Sequence, residues 1–149
     1  MLFSTSFAVP QTDSVYPDRI DGVDEAVVLQ YFQSLNAGNF ETTSQLFAVD
    51  GMLEPPFEAA VIGPTAIAHY LNQEAQGIKL KPLRGTRTLL DNGCVSYEIV
   101  GNVQTPWFSV NVCWEMILSP TQEIFVVRVK LLASLQELLH LRQQKQANS

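Results

Sequence analysis

The side chains that could do bond-making chemistry are few and scattered. His69 and His140 each stand alone, with no second ligand or acid at metal or triad spacing. Cys94 and Cys113 match neither a zinc motif nor a secreted disulfide framework, and read as small apolar side chains. These patterns predict no catalytic residue and no metal centre. They direct attention to a stretch built to hold something apolar. Between Val103 and Leu118, Phe108, Val110, Val112, Trp114, Met116 and Leu118 fall on one face, and Ser109, Asn111, Cys113 and Glu115 on the other. That period of two marks a half-buried strand. A face this apolar, with an indole in it, needs a second layer or an apolar ligand to cover it.

The elements that must supply the cover can be read in order. Residues 1–20, with Pro10 and Pro17, show no helical period and read as an extended arm. Val27, Val28, Tyr31, Phe32 and Leu35 recur at helical spacing, with Asp21 or Asp24 as N-cap and Asn36-Ala37-Gly38 as the stop. Asn39 caps a second helix, Phe40 to Phe47, with Phe40, Leu46 and Phe47 on its apolar face. Asp50-Gly51 reads as a turn, Met52-Leu53 as a short strand, and Pro55-Pro56 as its end. Pro64 opens a third helix, Thr65 to about Ala75, whose stripe is Ile67, Tyr70 and Leu71.

Strands follow at Ile78–Leu90, Cys94–Thr105, Phe108–Leu118 and Ile124–Leu132. Asn92-Gly93 predicts a hairpin turn with positive φ at both positions. Ser134-Leu135-Gln136-Glu137 matches a capping box for a last helix to Arg142, striped by Leu135, Leu138, Leu139 and Leu141. Residues 143–149 form a polar tail after a domain spanning 21–142. Helices first and long antiparallel strands after predict an α+β fold, a curved sheet with helices on its concave face. Such a cone has an apolar interior, and its mouth suits a small molecule.

Composition narrows the partners. With a formal charge of -6 and basic residues scattered apart from Lys79, Lys81, Arg84 and Arg87, nucleic acid is excluded. Those four cations read as a solvated strand face. No run of about 18 apolar residues offers a membrane span. The N-terminus lacks the basic segment of a signal peptide, so a cytoplasmic location is expected.

Several segments are distinctive. Gln30-Tyr31-Phe32-Gln33-Ser34-Leu35-Asn36, Leu53-Glu54-Pro55-Pro56-Phe57 and Gln76-Gly77-Ile78-Lys79-Leu80-Lys81-Pro82 resemble the C-terminal domain family of the orange carotenoid protein, within the nuclear transport factor 2-like superfamily. So do Val103-Gln104-Thr105-Pro106-Trp107-Phe108 and Leu131-Leu132-Ala133-Ser134, so that the similarity runs from about Ile20 to Arg142. The resemblance implies a cyanobacterial, photoprotective, stand-alone C-terminal domain homologue. It also implies a homodimer that binds a ketocarotenoid of the canthaxanthin or echinenone type non-covalently and quenches singlet oxygen. Its exchange partners would be helical carotenoid proteins, with transient membrane contact for uptake.

Matched by motif, the resemblance implies Tyr31 and Trp114 as the donors to the carotenoid keto oxygen. Leu35, Ile78, Leu80, Trp107, Val110, Val112, Met116, Phe125 and Val127 are the expected pocket or core positions. Cys113, facing away from Trp114, is the first candidate for an intermolecular disulfide, with Cys94 the alternative. The last helix would be a movable tail at the pocket mouth.

Elementary chemistry agrees with the resemblance. Tyr O–H and Trp N–H combine large apolar area with one neutral donor each. A chain of this length has a radius of gyration of roughly 15 Å against a carotenoid on the order of 30 Å, so one copy covers about half the ligand. Two rivals remain. An isomerase- or cyclase-like enzyme of the same superfamily needs a base inside the cone, with Asp50, Glu54, His69 and Glu98 as candidates. A protein-interaction module would use the open sheet. The one acid of the Trp114 strand, Glu115, faces away from the apolar side, so the expectation is a binding protein and not an enzyme.

Overall fold

The computed structural model describes residues 19–132. The expected last helix, its leucine stripe, His140, the polar tail and nearly all of the N-terminal arm lie outside the described residues.

Helix α1, Ala26–Asn36, buries Val27, Val28, Tyr31, Phe32 and Leu35, the stripe that helical spacing predicts. Its N-cap is Glu25, with no side-chain cap bond. Asp21, one of the two residues expected there, instead offers its carbonyl to the Gly85 N–H at 2.8 Å. The stop is as expected and has a clear cause. Gly38 takes φ 76, and the N–H groups of Gly38 and Asn39 donate to the carbonyls of Leu35 and Ser34, closing a Schellman motif.

Helix α2, Phe40–Gln45, is shorter than predicted. Phe47 opens strand β1, Phe47–Glu54, because the sheet claims it: Phe47 pairs with Ile124, and the Ile124 N–H donates to Leu46 O. Asp50-Gly51 is accordingly no turn but part of an irregular stretch of β1, between register points Phe47 and Met52. Gly51 is needed there, since a Cβ would stand 2.5 Å from the Ile124 carbonyl oxygen. Strand β2, Val61–Ile62, was not anticipated; it pairs antiparallel with β1. Helix α3, Pro64–Glu74, starts on its proline after Gly63 at φ 90.

Strands β3 (Lys79–Leu89), β4 (Val95–Gln104), β5 (Ser109–Leu118) and β6 (Ile124–Leu132) match the predicted run within a few residues at each end. The sheet order is β2-β1-β6-β5-β4-β3. All neighbours are antiparallel except β1 and β6, which run parallel. The β3–β4 turn differs from the predicted type. Only Gly93 has positive φ, and the Asn92 side chain instead accepts the Cys94 N–H at 3.1 Å. The α+β fold stands: among the described residues, a curved sheet carries three helices on one face, sealed by Phe32, Ile67, Tyr97, Ile99, Trp114, Met116 and Val127.

Candidate functional site

The alternation of the strands aims one set of side chains at the helices. Trp114 lies between Ile99 of β4 and Val129 of β6; Val112 lies between Gly101 and Leu131; Val110 pairs with Val103. Towards Met116 the face is fully buried and the core is closed. Towards Val110 the helices do not reach it fully, and a cavity of about 220 Å³ remains. Its walls come from α1 (Tyr31, Leu35), the end of β1 (Leu53, Pro55, Pro56), α3 (Tyr70, Leu71, Glu74, Ala75), the start of β3 (Ile78, Leu80) and the three following strands.

Tyr31 and Trp114 stand together in this wall, 2% and 1% exposed. An edge-on aromatic cluster fixes both. The Phe32 ring lies 4.9 Å from Trp114 and 5.3 Å from Tyr31, and Phe47 lies 6.3 Å from Tyr31. Among the described residues, neither the Tyr31 hydroxyl nor the Trp114 indole N–H has a hydrogen-bond partner. Burial, reinforced by Tyr70, pushes the Tyr31 phenol far above its ordinary 10.0. It therefore remains a neutral donor at any physiological pH. Tyr70 is pushed up to about 12 by burial and by the Glu58 and Glu74 carboxylates. The arrangement can grip a neutral acceptor inside an apolar hollow.

It is poorly equipped for proton transfer. Glu54 and Glu115 lie on the outer face of the sheet, tied to Arg128 at 2.8 and 2.9 Å, with Lys130 also on Glu115. Asp50, His69 and Glu98 are exposed and outside the wall. Glu74 is the one carboxylate in the wall, on the solvent-exposed side of α3. Among the described residues no cluster of His, Cys, Asp or Glu could hold a metal ion.

Seven of the expected positions meet in the cavity: Tyr31, Leu35, Ile78, Leu80, Val110, Val112 and Trp114. Four do not. Met116 and Val127, both 0% exposed, are cross-strand partners in the closed core, where helix cover leaves no space. Trp107, 85% exposed, sits in the β4–β5 turn that Pro106 forces out of the strand period. Phe125 is half-buried and absent from the wall, beside a β5–β6 register shift that upsets simple parity. Val103, Val129 and Leu131 were missed although they oppose Val110, Trp114 and Val112 in the ladder. Only strand pairing reveals that. Tyr70 was legible as part of the α3 stripe but not as cavity wall. Cys113 lies half-buried on the face opposite Trp114, as parity requires, and Cys94 is buried beside the turn. Burial first, then Glu98 and Glu115, pushes the Cys113 thiol up.

Residues 23–132 match the nuclear transport factor 2 (NTF2) domain. The chain is 40% identical over 138 residues to the orange carotenoid-binding protein of Synechocystis sp., covering 89% of this chain and 44% of that protein. It is 39% identical over 127 residues to the orange carotenoid-binding protein of Limnospira maxima, covering 83% and 40%. The solved structure of the Anabaena (Nostoc) sp. PCC 7120 orange carotenoid protein binding canthaxanthin superposes with a TM-score of 0.79 at 36% identity, over 93% of this chain and 46% of that one. The chain thus spans less than half the length of these relatives.

Proposed function

Because the chain belongs to the nuclear transport factor 2 domain family and matches the C-terminal portion of orange carotenoid-binding proteins, we propose that it binds a ketocarotenoid, with one ring in the cavity and its keto oxygen accepting from Tyr31 and Trp114. The observation that carries this reading is two buried neutral donors, without described partners, in an apolar wall. Each hydrogen bond contributes about 1 kcal/mol. Burial of the polyene at ~25 cal/mol per Å² supplies most of the affinity, so the two donors set orientation and colour.

Size supports a shared ligand. At about 220 Å³ the hollow falls below the ~300 Å³ at which drug-sized pockets begin. It accepts a ring and leaves the polyene outside. Exposed Phe57, Trp107, Phe108 and Leu131 belong to or adjoin the wall segments, an apolar collar suited to a second copy. One canthaxanthin- or echinenone-type carotenoid would then lie non-covalently across a homodimer. Photoprotection by singlet-oxygen quenching follows from the ligand. Transfer to helical carotenoid proteins, uptake during transient membrane contact, and a cytoplasmic, cyanobacterial setting complete the proposal.

Co-expression with ketocarotenoid biosynthesis tests it: a coloured dimer is expected, and a colourless protein overturns the reading. We further propose that Cys113, the more accessible thiol, links the outer faces of two copies under oxidising conditions. A covalent dimer on a denaturing gel should vanish in Cys113→Ser and persist in Cys94→Ser; the reverse pattern would move the link to Cys94.

A further inference from the structure

The two walls that meet beside the cavity, α1 and β3, come from distant parts of the chain, and one buried side chain joins them. Asn36 is the last residue of α1 and 4% exposed. Its Nδ2 donates to Leu80 O at 2.8 Å, and its Oδ1 accepts the Leu80 N–H at 2.6 Å. Among the described residues strand β3 is the edge of the sheet, and Leu80 turns both backbone groups to that edge. A carboxamide carries one acceptor and one donor at the spacing of a peptide group, so Asn36 completes the edge as a neighbouring strand would. The Asn36 carbonyl also accepts Lys79 Nζ at 2.8 Å, a cation at the negative end of the helix.

This junction adjoins the cavity wall. Leu35 precedes Asn36, Tyr31 lies five residues back on the same helix, and Ile78 and Leu80 stand on the strand side. Resting on the carotenoid reading above, we infer that Asn36 is a positioning residue: its paired bonds to Leu80 hold the helix carrying Tyr31 at a set distance from the edge strand, and so set how closely the Tyr31 hydroxyl meets the ligand's carbonyl. No other residue type of this size offers both bonds without a charge. In Asp the carboxylate oxygen would oppose Leu80 O, whereas protonated Asp restores the donor.

Two variants test this in the full chain co-expressed with ketocarotenoid biosynthesis. In Asn36→Ala the Leu80 amide should exchange about tenfold faster or more in the apo protein, and the bound carotenoid band should broaden and move to the blue. Asn36→Asp should show the same defects at neutral pH and lose them in acid. Burial against Leu80 O raises the folded-state pKa of that aspartate, so its junction is intact below the unfolded value and lost as pH rises through the folded one. A coloured Asn36→Ala protein with the wild-type band overturns the inference. Should Asn36→Ala not fold, an Asn36→Asp band with no more pH dependence than wild type overturns it instead. A colourless wild type is a different failure, and it removes the carotenoid reading itself.

Discussion

On the proposed reading, Tyr31 and Trp114 would do different things for the fold and for the ligand. Their rings are packed against Phe32 and Phe47 whatever the cavity holds, and among the described residues their O–H and N–H have no partner. Tyr31→Phe and Trp114→Phe should therefore leave the apo fold intact while shifting the bound carotenoid to shorter wavelength. Each should weaken binding by about five- to tenfold, one hydrogen bond's worth. Absorption and titration of each variant check this; an unchanged spectrum removes that residue from the site. Spacing alone could not separate such a role from ordinary core, because an amphipathic helix buries a tyrosine for either reason. The resemblance of the Gln-Tyr-Phe segment is what proposes the ligand role, and Tyr31 does line the cavity.

At the scale of elements, two seams decide the sheet. Gly101 of β4 faces β3 so closely that a Cβ would stand 2.3 Å from Lys81 O and 2.7 Å from Pro82 Cα. Gly101→Ala should cost about 2 kcal/mol or more and pry open the strand that carries Leu80, read by urea unfolding. The second seam is the outer-face chain Glu54–Arg128–Glu115–Lys130, which ties β1, β6 and β5. The Arg128 bond holds the Glu54 carboxyl below its ordinary 4.5, and Lys130 first, with Arg128, does so for Glu115. Lowered carboxyl values stabilise the fold above the ordinary range, and that stability is lost as pH falls through the folded-state values. Arg128→Met should flatten the fall in melting temperature below pH 4.5, incompletely because Lys130 still holds Glu115. Long, regular elements were legible from their periods. The β1 strand was not: its Asp50-Gly51 reads locally as a turn, and only pairing with β6, more than 70 residues away in sequence, draws it out into strand.

For the molecule taken entire, the proposed ligand outgrows the domain. Under the proposed reading, a hollow of about 220 Å³ would leave most of a carotenoid uncovered, and the collar of Phe57, Trp107, Phe108 and Leu131 would meet a second copy. Trp107→Glu should leave the monomer folded and prevent the coloured dimer, seen as loss of the dimer peak in size-exclusion chromatography; a coloured dimer of unchanged mass would place the contact elsewhere. Periodicity and turn chemistry are local, so the chain's own order of residues was enough for the α1 stripe and its glycine stop, the alternation of β5 and the family. Tertiary structure alone decided that Val110 and Val112 line a cavity while Met116 on the same face is sealed in core, that β1 runs parallel to β6, and that Trp107 stands in solvent. Parity assigns a side chain to a face of the sheet. How far along that face the helices reach is set by contacts between distant segments, and no local pattern records it.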